Sequence, residues 1–379
     1  MRKAAPPPPR HPPPPFRHPH QPPVPPAPPP PRSHRPVPRP QVAGGAGAAP
    51  SVRAARPRRA RWGRRILTGL AAAIVIALVA IIGGCVWLDS RLHRVSVFSA
   101  YAERPAEGAG TTWLLVGSDS REGLTPEQQA QLTTGDDMGN GRTDTIIVVH
   151  IPSLTSGAPT TMVSIPRDSY VDIPGYGKDK INAAFAQGGA SLLAQTVEEA
   201  TGLHLDHYAE LGFGGFAAVV DALGGVQICP PDPIDDELAG IDLPAGCQTV
   251  DGRNALGYVR TRATPRADLD RMVHQRQFMA ALLDRANSPS VWLNPWRWYS
   301  VPNAVVAALK VDDGAHVWDL ARLGWGLRGS TTTVTVPVAE LTSNSSGSVV
   351  VWDSDRSAEL FEALRTDAAI PRSVLDAQP

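Results

Sequence analysis

The sequence predicts a mixed α/β body behind a single membrane helix, and three observations predict it. Short apolar runs rich in β-branched residues, at 114–116, 146–151 and 162–165, read as buried strands. Runs with helical spacing alternate with further short strands through the rest of the body, with no second linker and no internal repeat. Ahead of them all, residues 66–88 carry 23 consecutive uncharged side chains.

The chain opens on a Pro-, Arg- and Ala-rich leader, residues 1–65. It holds 14 Lys and Arg, no Asp or Glu, and almost no large apolar side chains. Such a segment cannot bury a core and is expected to be disordered, its arginines able to rest on anionic lipid headgroups. The formal net charge of zero hides this asymmetry, because 22 Lys and Arg then face 36 Asp and Glu in the remainder. A basic arm alone could serve a nucleic acid, but the apolar run behind it places the tail at a membrane, so no nucleic-acid partner is expected. At ~1.5 Å of rise per residue, residues 66–88 are long enough to cross the ~30 Å hydrocarbon core as a transmembrane helix. Arg61, Arg64 and Arg65 flank its start and Asp89 its end. That asymmetry predicts a single-pass protein of the cell membrane, with a cytoplasmic N-terminus and an extracytoplasmic body. A cleaved signal peptide would be shorter and would not stand behind so long a leader. The run Ile82-Gly83-Gly84-Cys85 faintly resembles a lipoprotein cleavage box, but the apolar stretch continues past it.

Residues 89–110 read as a juxtamembrane connector, residues 111–370 as the globular body and residues 371–379 as a tail. After the first strands, Gly188 and Gly189 precede a helical run at 190–200, a strand at 208–211 and a helix at 213–223. A loop of acids and prolines, 230–246, leads to a strand-like run at 255–259. A long amphipathic helix follows at about 269–285, with Met272, Phe278, Met279 and Leu282 expected to pack inward. Helices at 301–308, 317–327 and 357–363 and a strand at 332–336 complete the body. Of the three cysteines, Cys85 lies in the membrane run, which leaves Cys229 and Cys247 outside in an oxidising setting. A disulfide between them is expected, with two buried thiols as the alternative. Without a C-x-x-C or a histidine cluster nearby, zinc is not supported.

Chemistry concentrates where strands end. The runs are G-S-D-S-R at 117–121, G-R-T-D-T at 141–145 and S-I-P-R-D at 164–168. Ligands of α/β sheets gather at strand ends, and on a strand Arg142 and Asp144 would share a face. A lone Asp at a strand end is ordinarily a turn or cap residue. Asp119 and Asp144 stand instead among Arg121, Arg142 and Arg167, a cluster that costs stability unless a ligand or ion balances it. Two carboxylates among guanidiniums suit Mg²⁺ (or Mn²⁺) with a phosphate ester completing its shell. Arg260 and Arg262, in Y-V-R-T-R at 258–262, would likewise share a strand face and offer bidentate donors as the other wall of a pyrophosphate clamp. No G-x-S-x-G elbow, H-E-x-x-H helix or Walker-type loop is present.

With the membrane helix, these runs, K-I-N-A-A-F at 180–185, D-A-L-G-G-V at 221–226 and D-R-x-x-x-Q at 270–275 together resemble the LytR–CpsA–Psr family. The resemblance covers residues 111–285 and is of an actinobacterial type, by the leader and the cysteine pair. It implies an αβα sandwich with a mixed central β-sheet. It also implies a cell-wall glycopolymer ligase, a phosphotransferase that moves a glycan phosphate from a polyprenyl-pyrophosphate carrier to a muramic acid hydroxyl of peptidoglycan. By motif match, Asp119 and Asp144 would hold Mg²⁺, and Arg142, Arg167, Arg260, Arg262 and Gln275 would contact the pyrophosphate, with Arg121 in the same cluster. His274 stands where relatives often carry Arg. Two other readings stay open: a hydrolase using the same site with water as acceptor, and a scaffold or regulator that binds lipid phosphate without turnover. A scaffold would need the arginines but not the paired carboxylates. The donor glycan, whether arabinogalactan, teichoic acid or capsule, is likewise open.

Overall fold

A computed structural model describes residues 59–120, 124–133, 143–261, 263 and 268–377. The leader up to residue 58 lies outside the described residues. The chain divides into two units, 1–63 and 64–379; what is described of the first is the opening of a helix, and the second holds everything below.

In chain order the elements begin with α1 (Arg59–Asp89), β1 (His93–Val95), β2 (Thr111–Ser118), α2 (Pro126–Gln131), β3 (Thr143–Ile151) and β4 (Thr160–Ile165). Next come β5 (Tyr170–Ile173), β6 (Gly177–Lys180), α3 (Ile181–Thr201), β7 (His207–Leu211) and α4 (Phe213–Ala222). Then follow β8 (Val226–Ile228), β9 (Ile234–Asp236), β10 (Ile241–Leu243), β11 (Gln248–Val250), α5 (Gly252–Arg260) and α6 (Asp268–Asn287). The chain closes with α7 (Pro289–Trp292), α8 (Arg297–Ala308), β12 (Leu309–Asp312), α9 (Val317–Gly326), β13 (Thr331–Thr335), β14 (Val338–Asn344), β15 (Gly347–Trp352), α10 (Ser354–Arg365) and α11 (Arg372–Leu375).

The central sheet runs β1-β12-β7-β2-β3-β4-β13. It is mixed: β2 is parallel to β7 and antiparallel to β3, and β13 is parallel to β4. Side chains alternate across each strand. Leu114, Val116, Ile146 and Val148 pack with Leu193 and Val197 of α3 and with Leu360 of α10 on one face. Trp113, Val149, Ile151 and Met162 pack with Val306 of α8 and Leu323 of α9 on the other. Burial on both faces is why β3 reads as an almost unbroken apolar run rather than an alternating one. Helices on both faces of a mixed sheet make the αβα sandwich.

A third cluster stands apart, built from α4, α5, α6 and the small hairpins β8–β11 and β9–β10, with Val220, Ile241, Tyr258 and Phe278 at its centre. Here the expectations need correcting. Residues 255–259 are not a strand but the body of α5, capped by the Asp251 carboxylate, which accepts from the Asn254 amide. Ala255, Leu256 and Tyr258 are buried on the inner side of that helix. A short apolar run fits either period, and here the cap decides. The strand argument for Arg260 and Arg262 therefore fails: Arg260 ends a helix, and Arg262 lies outside the described residues. On α6, Phe278 is buried and Leu282 partly so, but Met279 is exposed. Cys229 and Cys247 are joined by a disulfide. The loop that it closes is not featureless, for β9 and β10 pair within it.

The stretch expected as a connector also contributes to the body. β1 pairs with β12 as an edge strand of the central sheet. Arg104 lies on the buried Glu198 of α3, with Nε and Nη2 donating to its carboxylate at 3.0–3.2 Å. The Tyr101 hydroxyl donates to the same group at 3.0 Å. Burial and the Glu198 charge push the Tyr101 phenol well above its ordinary value.

Candidate functional site

The site begins with an irregularity in pairing. Gly117 faces Thr145 across the β2–β3 ladder, and Ser118 faces Thr143. One residue on β2 is thus matched by two on β3, and Asp144 is the extra residue of a β-bulge. A bulge re-aims its side chain and ends regular pairing, which is why bulges recur beside functional sites. The buried Thr143 holds this one in place, its hydroxyl lying 3.0 Å from the Gly117 carbonyl and 3.1 Å from that of Thr145. Asp119 is the residue after Ser118, so both predicted carboxylates stand where β2 and β3 leave the sheet.

Arg167, just past the end of β4, lays its guanidinium on the Asp144 carboxylate. Its Nε also lies 3.4 Å from Asp168, and Lys180 reaches the other oxygen of Asp168 at 2.9 Å. The result is a line of alternating charge, Asp144–Arg167–Asp168–Lys180. Partial burial works against a charge on Arg167, but the hydrogen bonds and charges of Asp144 and Asp168 outweigh it and hold the guanidinium more firmly protonated than usual.

Arg260 reaches the region from the satellite cluster. Its guanidinium lies 4.8 Å over the ring of Phe213, the first residue of α4, and its Nη1 donates to the Thr133 carbonyl at 3.3 Å. The preceding Gly212 comes so close to the Asp119–Ser120 segment that a Cβ there would sit 3.0 Å from the Ser120 carbonyl oxygen. That close approach, which glycine alone makes easy, joins the Arg260 support to the Asp119 end of the sheet. Gln275 on α6 donates to the Val259 carbonyl at 3.3 Å and so steadies the end of the helix that carries Arg260. His274 is buried and stacked on Tyr258 at 4.4 Å.

Arg121, Arg142 and Arg262 lie outside the described residues. Among the residues that are described, Asp144 and Arg167 are in direct contact, Asp119 adjoins them through strand register, and Arg260 approaches from α5. Sequence reasoning missed four participants. Asp168 and Lys180 stand inside the S-I-P-R-D and K-I-N-A-A-F runs, but nothing in their spacing shows that they pair. Phe213 reads as an ordinary helical apolar residue. Glu210 hides as one position of a short strand; it is buried, accepts from the Ser118 hydroxyl at 2.7 Å and from Tyr208 at 3.1 Å, and fixes the strand end that presents Asp119. Among the described residues, no three His, Cys, Asp or Glu side chains are grouped to hold a metal by themselves.

Comparison with known proteins bears on the family and the fold. The sequence profile of the LytR_cpsA_psr family matches residues 92–366. The chain is 49% identical over 331 residues to a protein of Corynebacterium glutamicum named a probable cell wall biosynthesis protein LcpB, covering 87% of this chain and 77% of that one. It is 37% identical over 309 residues to the cell wall biosynthesis protein LcpA of the same organism, covering 72% of this chain and 59% of that one. Among solved structures, a LytR-Csp2A-Psr enzyme from Actinomyces oris superposes with a TM-score of 0.56 at 22% identity, over 73% of this chain and 96% of that one. B. subtilis TagT superposes with a TM-score of 0.51 at 24% identity, over 72% and 99%. At these identities the structural likeness is one of fold. With the profile match running from Leu92 to Thr366, the chain belongs to the LytR–CpsA–Psr family.

Proposed function

We propose that this chain is a membrane-anchored phosphotransferase that attaches a cell-wall glycopolymer to peptidoglycan, taking the glycan phosphate from a polyprenyl-pyrophosphate carrier. The observation that carries the reading is the line Asp144–Arg167–Asp168–Lys180 at the bulged end of the sheet. Partly exposed ion pairs contribute only about 0–1 kcal/mol each. An arriving pyrophosphate can therefore redraw them, with Arg167 turning to a phosphate oxygen and Asp144 freed for a cation. The relatives named for cell wall biosynthesis support the same assignment.

In the proposed transfer, a peptidoglycan hydroxyl bonds to the glycan-proximal phosphorus as the bond from that phosphorus to the bridging oxygen breaks. The carrier departs as polyprenyl phosphate, and the hydroxyl gives up its proton. Arg167 and Arg260 supply planar donors to the two phosphates, and Phe213 keeps the Arg260 guanidinium presented. Arg121, Arg142, Arg262 and Gln275 complete the proposed binding set. Asp119 and Asp144 would hold Mg²⁺ or Mn²⁺, for which two carboxylates suffice because water and phosphate oxygens fill the remaining positions. When bound, such an ion neutralises charge on the phosphoryl oxygens, which is where phosphoryl transfer is mainly accelerated. Asp119 or Asp144 is also the nearest candidate for a base, although a carboxylate committed to a metal is a weak one.

The test is to incubate the full-length protein with a lipid-linked glycan labelled in its sugar, with and without peptidoglycan. Label that enters peptidoglycan supports the transferase. Release of glycan phosphate at the same rate without acceptor would show a hydrolase, and binding without either product would show a scaffold.

A further inference from the structure

Outside the candidate site, the molecule exposes large apolar side chains at one place in particular. Leu293, Trp296, Trp298, Tyr299, Trp318 and Trp325 are each between 54% and 84% exposed. The first four form the corner between α7 and α8. Trp318 and Trp325 are two turns apart on one side of α9, with the exposed Arg322 between them. A folded protein rarely leaves so many aromatic side chains to water without a use for them.

The end of the apolar helix lies in the same region. Residues 62–89 form a candidate membrane span whose most apolar 18-residue window has a mean hydropathy of 2.8 and is not buried in the protein. At its end the Trp87 ring stacks on Tyr299 of α8, with centroids 6.2 Å apart. Two residues on, Asp89 accepts from the Val317 amide at 3.0 Å and pairs with His316 at 3.1 Å, at the start of α9. Arg94 closes on the same carboxylate at 2.9 Å. Leu88 packs into the cluster that holds Val306 of α8 and Leu323 of α9. The span thus leaves the body between the two elements that carry the exposed aromatics.

We infer that the α7–α8 corner and the outer side of α9 rest in the surface of the bilayer that α1 crosses, so that the body is held face-down on the membrane rather than hanging from a tether. Continuity with the span argues for a lipid surface over a protein partner, because wherever α1 enters the bilayer these side chains arrive at its edge. The chemistry agrees. Tryptophan and tyrosine favour the headgroup level, where a ring meets hydrocarbon and its polar edge meets water. Arginine belongs beside them: Arg91 lies 5.0 Å over Trp87 and Arg328 lies 5.5 Å over Trp325. An amphipathic face of this kind settles ~5–10 Å into the headgroup boundary. The docked face also reaches the candidate site through a short path, since a Cβ on Gly215 of α4 would sit 2.7 Å from the Ala308 carbonyl at the end of α8. The first residue of that same α4 is Phe213, under Arg260.

The inference stands on the membrane span and holds whatever reaction the site performs. Its test uses the full-length chain in nanodiscs of phosphatidylcholine and phosphatidylglycerol, prepared with ordinary lipid or with lipid brominated near the top of the acyl chain. Subtracting the fluorescence of a Trp296→Phe, Trp298→Phe double variant from that of the parent isolates the emission of those two rings. A Trp318→Phe variant gives an independent reading from α9, and circular dichroism of each variant confirms folding. Bromolipid is expected to remove most of the difference emission in both comparisons, that of Trp296 with Trp298 and that of Trp318. Difference emission that is equally bright in both discs would overturn the inference, whether red-shifted by water or blue-shifted by a second protein copy.

Discussion

The Arg167 guanidinium lies on the carboxylate of Asp144, the one residue that the β2–β3 bulge takes out of regular pairing. The pair is partly open to solvent, so it is better suited to exchanging partners than to holding the sheet together. Replacing Arg167 by Lys keeps the charge and removes the planar fork. A lost charge-assisted contact of about 1.5–3 kcal/mol is roughly ten- to a hundredfold in donor affinity, while stability shifts by less than about 1 kcal/mol. Titration calorimetry with the lipid-linked donor, beside a thermal melt, measures both; a large loss of stability with unchanged affinity would make the pair structural.

The carboxylates divide from the arginines in a second measurement. Asp144→Ala is expected to cut the transfer rate sharply while donor lipid is still bound, and Arg260→Lys to weaken binding. Equal transfer by both variants and the parent would remove the cluster from the reaction.

Gly257 shows how tightly the satellite cluster is closed. A Cβ there would stand 2.1 Å from Ile241 Cγ2 and 2.9 Å from the Ala239 carbonyl oxygen. Gly257→Ala must push α5 away from β10, at a cost of about 1–3 kcal/mol as overpacking. Because Arg260 is three residues on, donor affinity should fall along with the melting temperature. A variant as stable as the parent would show that the two elements part more easily than their contact suggests.

Acid should loosen the opposite end of the sheet. Burial pushes the Asp367 carboxyl up, yet hydrogen bonds from Ser153 and His150 outweigh it and hold the group below the usual carboxylate range. A depressed folded-state value means stability that is present above the unfolded value of about 4 and is lost as pH falls through the folded one. Denaturant midpoints measured from pH 6 downward should therefore drop in the parent and drop less steeply in Asp367→Asn. Parallel curves would show that the pair contributes nothing.

The arginines ahead of the span set the last expectation, which concerns sidedness. Protease added to intact protoplasts should digest the body and spare the leader. Protection of the body would reverse the proposed topology.

Much of the sandwich was legible because both faces of its sheet are buried, and double burial writes itself into a sequence as unbroken apolar runs. The long apolar helix, a candidate membrane span, and the strand-end acids were legible for similarly local reasons. What could not be read is pairing. Nothing in T-D-T shows that Thr145 faces Gly117 while Thr143 faces Ser118, and so nothing marks Asp144 as the extra residue. Nor does K-I-N-A-A-F disclose that Lys180 answers Asp168. The misreading of residues 255–259 as a strand has a different origin: five residues are too few to separate the two periods, and the deciding Asp251 cap stands before the run. β1 escaped notice because an edge strand of three residues carries almost no pattern of its own.

The bond between Cys229 and Cys247 encloses more than a surface loop. Asp236 lies inside it, accepting from the amides of Leu238 and Ala239 at 3.0 Å and from the Thr261 hydroxyl at 2.6 Å. Thr261 is the residue after Arg260, so the clasp that ends α5 is anchored in the covalently closed ring. Such a bond forms on the oxidising side of a membrane and not in the cytosol. On the proposed topology, a newly made chain still among cellular reductants would carry Arg260 on a looser mount than the exported one, and the site would mature with its passage across the membrane rather than with its synthesis.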